Sequence, residues 1–474
     1  MTPEAFSAAL AGALARELPG FVALRECARL SGGASQETYR LEVDTTAGPQ
    51  RFALRRTPGG APPADGVEQI GPRVEAKVIR AAEAAGVPVA GIVLELKPED
   101  GLGEACVVRW LEGETLGSRI VKSAALADAR RQLARQCGEM LARIHAVDPV
   151  ATGLDRALKV VAPADLVRQT WVHYQSFQTP QPMIDYTAQW LLAHLPPPVP
   201  PALTHADFRN GNLMVGPGGL VGVLDWEISH LGDPMRDLGW LCTASWRFGV
   251  AERPVGGFGD YADLFAGYEA VSGRPVDPAH VRFWEVFGSF WWAVGCLAMA
   301  EHWRTGPDRT VERPAIGRRS SECQVDCVNL LIPGPVAPLG APAPVADELP
   351  DTVELLHSVA EFLRGAVADT GSERHRFLAR VAANSLAIVE RETRSGGTAR
   401  AQEAARLRTL LGQDGPLSAQ RWALVEGLRA GGFRLDDAAL TAHLRQTVVQ
   451  QALIDQPGYP GVQTALAAHP DGAG

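Results

Sequence analysis

The chain has 474 residues, 46% hydrophobic and 21% charged, the balance of a folded protein with length for two to four structural units. Its formal net charge of −9 excludes a general electrostatic affinity for nucleic acid or anionic membrane, but allows a local basic pocket. Lysine occurs only at Lys77, Lys97, Lys122 and Lys159, so arginine carries the positive charge.

The N-terminal stretch, with Glu4 and Glu17 and no basic segment, reads as an amphipathic helix rather than a signal peptide. Residues 22–56 read largely as strands, with Thr38–Val43 and Arg51–Arg56 alternating about a turn to give a hairpin. Residues 57–70 are rich in Pro and Gly and read as a mobile loop. Residues 73–85 have helical spacing, ended by Gly86 with Pro88 beyond. Strands are expected at 91–96 and 105–110, completing a small sheet with one helix.

From about 114 to 332 the pattern is mostly helical. Leu133–Val147 has apolar positions at helical spacing. Val286–Ala300, the most apolar stretch, is too short to span a bilayer and reads as a core helix. Cys323 and Cys327 share a helix face, and with no further ligands nearby they read as small buried hydrophobes. The seven scattered cysteines fit reduced thiols and a cytoplasmic protein. Residues 333–344 hold five prolines and form a linker. The remainder, 347–474, reads as helical. Its 16 acidic residues and 13 arginines give −3, so it is not a nucleic-acid tail. The expected divisions are 1–105, 106–332, a linker at 333–346, and 347–474.

The strongest chemical signal is Leu203–Trp226. It contains His205, Asp207, Asn212 five residues later, and Asp225 at the end of the apolar strand VGVLD. Each alone is an ordinary turn residue. As a set they suit phosphoryl transfer: Asp207 to orient an acceptor hydroxyl and take its proton, Asn212 and Asp225 to offer oxygens to Mg2+. His205 is expected to pack and fix the loop.

At these residues the chain resembles the aminoglycoside/choline phosphotransferase family, a protein-kinase-like group. His205-Ala206-Asp207-Phe208-Arg209-Asn210-Gly211-Asn212 looks like that family's catalytic loop. Asp225-Trp226-Glu227 looks like its metal-binding segment, and Gly232–Leu238 like its downstream signature, with Asp237 bracing the loop. The resemblance covers roughly 22–330. It implies an α+β, bilobal kinase-like fold with a separate all-α C-terminal domain, an ATP or GTP cofactor with Mg2+, and a small-molecule hydroxyl as acceptor.

The first hundred residues supply the matching parts. Kinases hold the α- and β-phosphates with a strand lysine. No Lys precedes position 77 here, and Phe52-Ala53-Leu54-Arg55 places an arginine in that role, a departure that phosphate chemistry tolerates. Glu75 on the following helix is its expected partner. Ser31, Gly32, Gly33 and Ser35 read as the phosphate-covering loop. Val108 and Trp110 lie in the expected hinge against the purine.

The fold does not choose the acceptor. Aromatic residues crowd the helical half, among them Trp171, Tyr174, Trp240, Trp246 and Trp284. Most read as core and the rest favour an apolar or amphipathic acceptor. The phrasing FALRR, LARIHAVD and DWEISHLGDPMRDLGW looks closest to the branch found beside or fused to acyl-CoA dehydrogenases. That implies a hydroxyacyl-CoA acceptor. The alternatives are an aminoglycoside-type antibiotic kinase and a nucleotide-binding pseudokinase or scaffold. The C-terminal domain resembles an uncharacterised companion of such kinases and shows no catalytic set. Its Glu390-Arg391-Glu392 reads as a solvated face, and docking of a protein partner or second subunit is its expected use. Neither nucleic acid nor membrane is an expected partner.

Overall fold

The computed structural model describes residues 2–30, 37–57, 69–337, 339 and 350–467. The expected phosphate loop at Ser31–Ser35 and most of the expected loop at 57–70 lie outside them.

Helix α1 (Pro3–Glu17) is capped by Thr2 and started by Pro3, and it turns Phe6, Leu10 and Leu14 onto one face. That face packs on Leu41, Phe52 and Leu54 of the strands that follow, β1 (Phe21–Arg29), β2 (Glu37–Thr45) and β3 (Gly48–Thr57). The β2–β3 hairpin pairs Thr38 with Arg55 and Arg40 with Ala53. Strand alternation therefore leaves Ala53 and Arg55 on the face away from α1. Helix α2 (Gly71–Ala84) follows, with Gly86 at φ 79° just past its end. Then come β4 (Ile92–Glu95) and β5 (Glu104–Arg109), giving an antiparallel sheet in the order β1-β2-β3-β5-β4.

After α3 (Gly117–Lys122), helix α4 (Ala127–His145) puts Leu133, Cys137 and Leu141 into a second core. The helices α5 (Pro163–Ser176) and α6 (Pro182–Ala193) come next. Four short strands follow: β6 (Ala202–Thr204), β7 (Leu213–Gly216), β8 (Gly219–Val223) and β9 (His230–Gly232). β6 pairs with β9 and β7 with β8. Helices α7 (Met235–Cys242) and α8 (Tyr261–Ser272) follow. α8 lies close against α4, because a Cβ on Gly138 would fall 2.1 Å from the Leu264 carbonyl and one on Gly267 2.0 Å from that of Arg135.

Helix α9 (Pro278–Thr305) is longer than the apolar run inside it. Among the described residues it is the one helix long and apolar enough to cross a membrane, and 67% of that window is buried in the protein. The chain continues through α10 (Glu312–Arg318), α11 (Ser320–Leu331), α12 (Thr352–Phe362), α13 (Glu373–Leu411), α14 (Leu417–Arg429), α15 (Ala438–Asp455) and α16 (Pro460–Ala467). Cys323 and Cys327 are buried in α11 as free thiols.

Two compact units result. One comprises the chain up to Pro163 together with Pro196–Glu285. The other comprises Ala164–Leu195 and the chain from Val286 onward. In the second unit, Met183 and Tyr186 of α6 share a core with Val325, Leu424, Leu444 and Val449. Asp185, fully buried, accepts from Trp171 Nε1 (2.7 Å), Tyr174 Oη (3.0 Å) and Arg429 Nε (2.7 Å). Arg391 departs from the solvated face expected of it. Its Nε and Nη2 cap the last carbonyls of α15, at Ile454 and Asp455.

Candidate active site

The site is built in the first unit on three left-over ends of secondary structure. β6 ends at Thr204, and the next residues turn sharply: Ala206 has φ 72°, in the left-handed region that alanine rarely adopts. The Asp237 carboxylate holds that turn. Its Oδ2 accepts from His205 N (2.7 Å) and its Oδ1 from Ala206 N (2.8 Å), while His145 Nε2 lies 3.2 Å from Oδ2. Burial alone would push this carboxyl up. The hydrogen bond from His145 and the surrounding positive charge, Arg236 included, outweigh it and hold the pKa at about 2. Asp237 thus stays ionised and braces the loop, as the family resemblance implied.

His205 is fully buried. Its Nε2 lies 2.9 Å from Leu224 O, and its Nδ1 accepts from Asp207 N at 3.2 Å. Burial lowers its pKa, so at neutral pH it is an uncharged strut linking the loop to the end of β8.

The Asp207 carboxylate is aimed by three donors. Arg209 Nε (2.8 Å) and Trp240 Nε1 (2.9 Å) reach Oδ1, and Asn212 Nδ2 (2.6 Å) reaches Oδ2. A carboxylate offers about four lone-pair sites, so room for one hydroxyl donor remains. Arg209 stacks over Trp246 at 4.5 Å from the ring centroid. Asn212 spends its amide nitrogen on Asp207, which leaves its Oδ1 as the atom suited to a cation. The backbone carbonyl of Asn212 accepts from Leu224 N at 2.8 Å, which ties the end of β8, just before Asp225, back to the loop at 205–212.

Asp225 follows β8 with φ 64°. Arg55 reaches it from β3: Nη2 lies 2.7 Å from Asp225 Oδ1, and Nη1 lies 2.8 Å from Glu75 Oε1 on α2. Burial disfavours the guanidinium charge, but the Glu75 and Asp225 carboxylates outweigh it and raise its pKa, so Arg55 stays charged. Residues 55, 75 and 225 thus meet although 170 positions separate the outer two. Val108 is buried within β5, opposite Ala53, and Trp110 follows the strand with its Nε1 on Glu112 (3.0 Å). Glu114 and Val215 exchange two backbone hydrogen bonds of 2.9 Å, joining the segment after β5 to β7. Among the described residues no group of three or more His, Cys, Asp or Glu is placed to hold a metal ion.

Arg209, Trp240 and His145 were not assigned site roles from sequence. Arg209 stood inside the loop motif, two residues after Asp207, and that spacing was its available signal. Trp240 follows Asp237 by three on one helix, so both point toward the loop. His145 had no local signal, since it ends α4 and meets Asp237 only in the fold.

Residues 26–273, just over half of the chain, match the phosphotransferase enzyme family. The chain belongs to that family. Residues 369–459 match a domain of unknown function (DUF6285). Among curated proteins, the chain is similar to acyl-CoA dehydrogenase family member 10 of Mus musculus, 30% identical over 46% of this chain and 20% of that one. It is also similar to the probable acyl-CoA dehydrogenase IBR3 of Arabidopsis thaliana, 23% identical over 70% of this chain and 43% of the relative. The chain therefore spans less than half the length of these relatives. A solved chain from Ralstonia eutropha, provisionally assigned as an aminoglycoside phosphotransferase, superposes with a TM-score of 0.54 at 23% identity, covering 68% of this chain and 97% of that one. That likeness shows the kinase-like α+β fold, and the helical region after it is the separate all-α part.

Proposed function

We propose that this phosphotransferase moves the terminal phosphoryl group of ATP or GTP to a hydroxyl on a small molecule. One observation carries the reading: Arg55 contacts both Glu75 and Asp225, which supports its use as a phosphate-binding cation with Glu75 as helix partner and Asp225 as metal-binding carboxylate. Arg55 would hold the phosphates, with Glu75 fixing its direction. Ser31, Gly32, Gly33 and Ser35 would cover them, and Val108 and Trp110 would flank the base. Asn212 Oδ1 and the Asp225 carboxylate are hard oxygen donors that fit Mg2+, which when bound neutralises phosphate charge. Asp207 orients the acceptor hydroxyl and takes its proton as the new P–O bond forms, while the nucleoside diphosphate leaves. The relatives named as acyl-CoA dehydrogenases support a hydroxyacyl-CoA acceptor. Phosphorylation makes its hydroxyl a leaving group for later elimination.

Thermal melting with Mg·ATP and with Mg·GTP tests the nucleotide site. Ligand at about 100 times Kd adds roughly 2.7 kcal/mol, a shift of several degrees. The shift should depend on metal and vanish in Asp225→Asn. Absence of a shift with either nucleotide would sink the reading and favour a lapsed enzyme.

A further inference from the structure

Around Asp207 one side chain remains unexplained. Arg236, in the first turn of α7, is 4% exposed, and its Nε and Nη1 are buried without a hydrogen-bond partner among the described residues. The Asp237 and Asp207 carboxylates favour its charge from nearby but accept their hydrogen bonds from other donors. Asp237 accepts from His205 N, Ala206 N and His145, and Asp207 accepts from Arg209, Trp240 and Asn212. The guanidinium lies 5.8 Å from the centroid of the Trp240 ring, the same indole that donates to Asp207. Nearby His230 is also buried, with Nδ1 3.2 Å from Ile228 O and Nε2 without a partner.

A buried cation with open donors is costly, and the positive end of a helix adds to that cost. An apolar side chain of similar length would pack there without it. We propose that Arg236 receives an anionic oxygen group of the acceptor, held a few bonds from the hydroxyl that Asp207 addresses. The inference rests on the phosphotransfer reading and sets a free hydroxy acid against the hydroxyacyl-CoA as its acceptor. A guanidinium fork matches the two oxygens of a carboxylate and also binds phosphate. The group belongs either to a hydroxy acid's own carboxylate or to the phosphates of a coenzyme A thioester. Arg236 stands one indole away from the reacting carboxylate. A thioester carries its phosphates at the far end of the pantetheine arm. The free hydroxycarboxylate is therefore the better match.

The test melts full-length wild type, Arg236→Met and Arg236→Lys, alone and with three probes: 3-hydroxybutyrate and its longer homologues, the diols of matching length, and 3-hydroxybutyryl-CoA. Without ligand, Arg236→Met should melt roughly 2–4 °C above wild type, because two buried donors without hydrogen-bond partners are gone. The hydroxycarboxylates, but not the diols, should raise the wild-type melting temperature. Arg236→Met should lose that shift and Arg236→Lys should recover part of it. A lower melting temperature for Arg236→Met would mean the guanidinium is structural, satisfied by water, and would overturn the proposal. So would equal responses to acid and diol, no response to any hydroxycarboxylate, or a thioester response unchanged by the substitution. Mg·ATP added to the same samples reports the nucleotide site separately, so failure there counts against phosphotransfer and leaves the unliganded comparison standing.

Discussion

Two non-glycine residues in the site sit at positive φ, Ala206 at 72° and Asp225 at 64°. Asp tolerates that region and Ala does not. The strain at Ala206 is held by the Asp237 carboxylate on its N–H. Ala206→Gly should therefore stabilise the protein by up to about 1 kcal/mol, read as a higher denaturant midpoint. An unchanged or lower midpoint would show that the turn carries no strain. Trp240 acts through Asp207. Trp240→Phe keeps an aromatic side chain but removes the pyrrole ring with its Nε1–H, so one donor to the carboxylate is lost. The kcat should fall about tenfold, the value of one hydrogen bond to a charged group, with the nucleotide KM unchanged. A loss confined to KM would remove Trp240 from the positioning of Asp207.

Among the elements, short pieces of structure are pinned by single buried acids. Asp233 fixes the start of α7: its Oδ1 accepts from Met235 N, and its Oδ2 meets His280 Nε2 (2.5 Å) and Trp284 Nε1 (3.0 Å) at the start of α9. In the second unit Asp185 does the same for α5, α6 and α14 through Trp171, Tyr174 and Arg429. Burial raises the Asp185 pKa, and Arg429 and Trp171 only partly offset this. Asp185→Asn leaves the Arg429 guanidinium without its counter-charge and should cost about 3–5 kcal/mol, read in unfolding of the second unit by denaturant. A loss below about 1 kcal/mol would show that the cluster is not a pin. The sheet, the β2–β3 hairpin and α2 were legible from alternation, turn residues and Gly86, because each is set by neighbours in sequence. The cap that Arg391 places on α15 was not, because its partners lie 63 and 64 positions away.

At the scale of the whole molecule, buried histidines set the response to acid. Burial lowers the pKa of His205, and it brings His230 to about 4 and His443 to about 3, with Arg236 acting on the first of these two and Arg406 and Arg421 on the second. Folded values below the unfolded value of about 6.5 mean that the unfolded chain binds protons first. Stability from these groups is complete above about pH 6.5 and is lost as pH falls toward the folded values. For His230 the loss amounts to roughly 3 kcal/mol by pH 4. Denaturant midpoints should fall between about pH 7 and about pH 4, and His230→Gln should flatten the slope. A midpoint independent of pH over that range in both proteins would refute the assignment.

The sequence by itself determined the residue types of the loop at 205–212, the sheet-forming segments in chain order, and the arginine at position 55 expected in place of a strand lysine. These are local patterns, and phosphate chemistry restricts which side chains suit them. The tertiary structure decided the rest. It brought Arg55 to Asp225 across 170 positions, set Trp240 and Arg209 on one oxygen of Asp207, and left Arg236 buried with open donors. It also placed residues 164–195, which the sequence assigns with 106–332, in one compact unit with the C-terminal helices. An amphipathic helix states that it has an apolar face, but not which distant partner covers it.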